Sequence, residues 1–117
     1  MLHLLDQVRP PIDAFERTLI DVFSQLPSVQ AIWIREVRDV TPQLRPDGTP
    51  KRYTRAVWLQ FARRSRTDLE KADALARELQ VRVIAEPFSL EVRVVVDDLP
   101  PAAIAPSCIF KRGSGRV

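Results

Sequence analysis

Histidine is nearly absent from this chain. His3 stands alone beside a terminus, with no partner for general acid–base work. Cysteine is represented by Cys108 only, so no disulfide can close within the chain, and a reducing cytoplasm is the expected compartment. Glycine occurs at Gly48, Gly113 and Gly115 and nowhere else. That excludes G-x-G-x-x-G and P-loop cradles for phosphates. No run approaches the roughly 18 apolar residues of a membrane span. The stretch Met1–Pro10 lacks both the basic and the apolar region of a signal peptide. No His/Cys/Asp cluster has the spacing of metal ligands. Cys108 lies in an apolar run and reads as structural, and Ser107 beside it lacks a base. Asp97-Asp98, ahead of Pro100-Pro101, reads as a turn rather than an acid/base pair. The expectation is a protein that is not an enzyme, with no cofactor and no metal.

What remains is an ordinary globular composition: 45% hydrophobic and 28% charged over 117 residues. Such a length predicts one domain with a real core, residues 1–117, flexible at 1–9 and 113–117. The net charge is +3, with 18 Lys and Arg interspersed among 15 acidic residues.

Periodicity predicts the elements. Ile12, Phe15, Leu19, Val22, Phe23 and Leu26 recur at helical spacing, so a helix is expected from Pro11 to Leu26. Pro27 ends it. A strand follows over Val29–Arg38, with Val29, Ala31, Trp33, Arg35 and Val37 on one face. Asp39–Tyr53 is a proline-rich loop containing Asp47-Gly48. The second strand, Thr54–Ala62, sets Ala56, Trp58 and Gln60 against Val57, Leu59 and Phe61. Antiparallel pairing with the first strand is expected. Thr67 and Glu70 have capping-box spacing at the start of a second helix with Leu69, Ala72, Leu75, Ala76 and Leu79 inward. Phe88–Val96 alternates as a third strand, and Cys108-Ile109-Phe110 is a short candidate fourth.

The predicted fold class is α+β in the order α-β-β-α-β. It is a mostly antiparallel sheet of three to four strands with two helices on one face. Ala31-Ile32-Trp33-Ile34 and Ala56-Val57-Trp58-Leu59 copy each other and carry both tryptophans. Their phase puts Trp33 and Trp58 on the face away from the helices. Arg35, Gln60 and Arg93 share that face. Two bare tryptophans make an unusual surface for a monomer. The C-terminal tail, with Ile104, Ile109 and Phe110, a second copy or domain, or a ligand could cover them.

Three basic clusters are present: Lys51/Arg52/Arg55, Arg63/Arg64/Arg66 and Lys111/Arg112/Arg116. With open tryptophans they would suit a single-strand stacking platform. The glycine-rich aromatic signature of RNA-recognition domains is missing.

The run Phe23-Ser24-Gln25-Leu26-Pro27-Ser28-Val29-Gln30-Ala31-Ile32-Trp33 resembles the helix-to-strand junction in the C-terminal domain of the bacterial enhanced serine sensitivity proteins (SseB-like). The following order of strand, Ala/Leu helix and Val-rich strand is also similar, over residues 12–112. The proline-rich loop is longer here, and Cys108-Ile109-Phe110 replaces a Phe-Tyr ending. The family has no assigned catalytic residues to carry over. The resemblance implies a cytoplasmic, non-catalytic accessory domain tied loosely to serine sensitivity and sulfur metabolism.

The leading expectation is a protein-interaction module, in its simplest form a homo-oligomer. Its candidate surface is Trp33, Trp58, Arg35, Gln60 and Arg93, with Asp47, Lys51 and Arg52 on the loop. Single-stranded nucleic-acid binding through the basic clusters is the alternative, and no membrane partner is expected.

Overall fold

The computed structural model describes residues 8–38, 42–97 and 106–113. Six elements follow one another: α1 (Ala14–Phe23), β1 (Val29–Val37), β2 (Tyr53–Phe61), α2 (Arg66–Arg82), β3 (Phe88–Val96) and β4 (Ser107–Lys111). The sheet order is β3-β2-β1-β4. β1 pairs antiparallel with both β2 and β4, while β2 and β3 run parallel. The sheet is therefore mixed, because α2 carries the chain back along the sheet between β2 and β3. The α+β class and the element order are as the periodicity predicts, with both helices on one face. The termini expected to be flexible lie largely outside the described residues, as do Asp98, Pro100, Pro101 and Ile104.

Local chemistry moves several boundaries. α1 starts at Ala14, not Pro11, because extended Asp13 is its cap, accepting the Glu16 amide at 2.9 Å. Ile12 then stands ahead of the helix and is exposed rather than part of the stripe. The helix closes at Ser24, and Leu26 is buried in the turn beyond it. α2 is capped by Ser65, whose hydroxyl accepts the Asp68 amide, so the cap sits two residues before the expected Thr67. Asp68 has a further use: its carboxylate accepts the Ser28 amide at 2.9 Å, tying the start of α2 to the α1–β1 turn.

The register sets Ile32 opposite Leu59, Trp33 opposite Trp58 and Ile34 opposite Val57. A bulge between Val29 and Ala31 reverses the expected phase of Val29, which pairs with Phe61 and joins the helix-side core. That core also contains Leu19, Phe23, Ala72, Ala76 and Leu79 from the helices, and Ile32, Ile34, Val57, Leu59 and Phe61 from the sheet. A second bulge, where β4 meets Ile32 and Trp33, turns Ile109 toward the helices and leaves Cys108 opposite Trp33. Among the described residues, no helix is long and apolar enough to cross a membrane.

Candidate functional site

Trp33 and Trp58 lie opposite each other on the face away from the helices, as their phase predicts. They are not a bare surface: Trp33 is 2% exposed and Trp58 6%. Ala31, Ala56 and Cys108 are buried with them, and half-buried Val37 and Val95 pack alongside. Gln60 is buried too, its Oε1 accepting the indole N–H of Trp33 at 3.1 Å. Burial pushes the Cys108 thiol above its ordinary pKa, the reverse of an activated cysteine. Of the five residues predicted for this surface, Arg35 and Arg93 are exposed. Arg93 is held by Glu91 on its own strand, with Nε donating to the carboxylate at 2.8 Å.

The basic clusters are broken up by structural duties. Lys51 is buried, and its ammonium donates to the Val83 and Phe88 carbonyls, each at 2.7 Å. It thereby satisfies the C-terminal cap of α2, where a cation suits the helix dipole. Burial holds its pKa below the usual lysine value. Arg112 clasps the α1–β1 turn, donating to the carbonyls of Ser24, Leu26 and Val29. Asp47 makes an Asx turn with Thr49 ahead of left-handed Gly48, and Arg52 is exposed. A stacking platform needs open rings and free cations together, and here the rings are closed and two of the cations, Lys51 and Arg112, are spent internally.

Two features escaped the sequence reading. The first is a cleft of about 450 Å³ between the start of α1 and the end of α2. Phe15, Leu79, Val83, Pro87 and Phe88 supply its apolar lining, and Asp13, Thr18, Tyr53, Arg55, Arg82 and Glu86 its polar groups. Arg55 shares the inward phase of Val57 and Leu59, which is a legible signal. Its side chain is only 8% exposed, with Nη2 on Asp13 Oδ2 at 2.6 Å. The guanidinium carbon lies 4.4 Å from the centroid of Phe88 and 5.3 Å from that of Phe15. Nε and Nη1 are buried, and among the described residues they have no acceptor. Each such group costs roughly 1–3 kcal/mol. Burial alone would lower the Arg55 pKa; the Asp13 and Tyr53 hydrogen bonds outweigh it and raise the value.

The Arg55 hydrogen bond holds Asp13 below the ordinary carboxylate range, assisted by the Glu16 amide. A carboxylate depressed in the folded state contributes stability above its unfolded pKa, about 3.9. That contribution is lost as pH falls through the lower folded value. Asp13→Asn keeps the cap but not the charge. Urea midpoints measured from pH 5 to pH 2 should therefore fall less steeply in Asp13→Asn than in the wild type.

The second feature is the outer edge of β3. In a strand, successive residues turn their amide and carbonyl to opposite sides. Pro87 O accepts from Arg52 and the Asp97 amide donates to Phe61 O, so the odd-numbered residues face β2. The even-numbered ones face outward. Lys51 covers the Phe88 carbonyl and Gln80 that of Leu90, at 2.7 and 3.1 Å. Among the described residues, nothing bonds Val92, Val94 or Val96 on that outer side. The opposite edge is different: the Arg9 amide donates to Cys108 O at 2.9 Å, and Val8 bridges Cys108 in parallel.

No family model matches the chain, and no curated protein or solved structure matches it.

Proposed function

We propose that the chain is a non-catalytic, cytoplasmic protein-interaction module that self-associates edge to edge through β3. The observation that carries this reading is the free Val92–Val96 edge, valine at four of five positions and open on its hydrogen-bonding side. Long apolar edges are pairing templates unless blocked. The free stretch has its midpoint at Val94. A two-fold axis there sets Val94 against Val94 and Val92 against Val96 of a second copy, so each outward amide meets an outward carbonyl. The interaction surface thereby moves from the tryptophan rings to the neighbouring strand, which includes Arg93. An accessory role accords with the resemblance to the C-terminal domain of the enhanced serine sensitivity proteins.

Sedimentation equilibrium at two concentrations tests it. The wild type should shift toward dimer as concentration rises. Val94→Pro removes one outward N–H without touching the β2 ladder, a position where an edge strand accepts proline. It should stay monomeric at concentrations where the wild type pairs, with an unchanged far-ultraviolet spectrum and tryptophan emission. A wild type that is monomeric at both concentrations, or a Val94→Pro variant that still dimerises, defeats the proposal.

A further inference from the structure

The geometry points to the α1–α2 cleft as a binding site for a small monocarboxylate with a flat apolar body. Arg55 carries this inference. It is a nearly buried cation in the cleft wall whose Nε and Nη1 lack acceptors among the described residues, although its third nitrogen is firmly held by Asp13. A folded chain rarely leaves such donors unanswered. Asp13 does not answer them: its Oδ2 accepts from Nη2 and its Oδ1 caps α1 by accepting the Glu16 amide. An incoming carboxylate supplies the missing acceptors and meets Arg82 on the outer wall. The volume, about 450 Å³, lies within the usual range for small-molecule sites.

The lining selects among anions. Asp13 and Glu86 stand beside Arg55 and Arg82, so the two cations are matched by two carboxylates. A dianion such as phosphate meets twice the repulsion from these carboxylates that a single carboxylate meets, and it has no apolar body for the rest of the lining. Phe15 and Phe88, already in contact at a centroid distance of 4.9 Å, form with Val83 a floor for a planar apolar group. Because Nε and Nη1 are closed to solvent, binding requires the side chains packed around Arg55 to shift. The inference is independent of the β3 edge and stands or falls separately from it.

The test is a titration of the ¹⁵N-labelled full chain with sodium benzoate, followed at the Arg55 Nε–H and at the Thr18 and Phe88 amides. A saturable shift of all three is expected. Benzamide, the neutral isostere, should bind at least about tenfold more weakly, the factor corresponding to one charge-assisted bond. Arg82→Ala alters an exposed residue at the mouth, leaves the fold intact, and should weaken benzoate roughly threefold to tenfold. Arg55→Lys should abolish the saturable shift at Thr18 and Phe88; the Arg82 comparison remains decisive if that variant does not fold. Equal binding of benzamide overturns the assignment. So does tighter binding of inorganic phosphate, or the absence of any saturable shift with benzoate.

Discussion

Trp33→Ala is expected to cost about 3–5 kcal/mol of folding stability, the range for deleting a large buried aromatic side chain. Small domains hold roughly 5–15 kcal/mol in total, so this single change brings the chain close to unfolding. The ring is 2% exposed on a strand with neighbours on both sides: Trp58 opposite on β2 and Cys108 opposite on β4. Truncation leaves a cavity among three strands. It also strips Gln60 of its indole donor, leaving a buried amide oxygen without that partner. Trp33→Phe keeps most of the ring and should cost clearly less. Urea denaturation followed by far-ultraviolet circular dichroism measures both variants, and the remaining Trp58 reports on local packing. A loss under about 1 kcal/mol for Trp33→Ala would mean that the ring stands at an open surface. The tryptophan face would then return as the site of association.

The two-residue strand period explains why so much of this layout is legible in the chain. Trp33 and Trp58 land on one face, and Ile32, Ile34, Val57 and Leu59 on the other, because alternation needs only local sequence. Val29 departs because a bulge adds a residue, and no residue type announces one. The shifted cap of α2 goes with a long-range contact. With Ser65 as the cap, the Asp68 amide is taken by the Ser65 hydroxyl while the Asp68 carboxylate accepts the Ser28 amide. The basic residues were the least legible. A run such as Lys51/Arg52/Arg55 reads as a charged surface, yet Arg55 meets Asp13 across 42 positions and Lys51 meets Val83 across 32. Tertiary folding alone brings those groups together. The inward phase of Arg55 was visible; its aromatic surroundings and its two unanswered donors were not.

Breaking the Arg9–Glu16 pair is expected to have the second-largest effect, and an unequal one. Arg9 Nη1 and Nη2 donate to the two Glu16 oxygens at 2.7 and 3.0 Å, and the Ile12 amide donates to Oε1 at 3.2 Å. Glu16 is 3% exposed at its side chain, whereas Arg9 is 33% exposed. Glu16→Leu therefore leaves a cation that water can reach, and should cost about 2 kcal/mol. Arg9→Met strands a buried carboxylate and should cost about 3–4 kcal/mol. The double variant, with both charges replaced by apolar groups, should recover part of the larger loss. A cycle in which Glu16→Leu proves the costlier single change contradicts this account. The pair also bears on assembly, because Arg9 is part of the segment that covers the β4 edge through its bond to Cys108 O. With that segment loosened, β4 becomes a second free edge beside β3. A β3-to-β3 contact closes on itself as a dimer, whereas a β3-to-β4 contact repeats without closing. Arg9→Met should accordingly move the sedimentation profile beyond dimer toward larger, open-ended species, and adding Val94→Pro should suppress them.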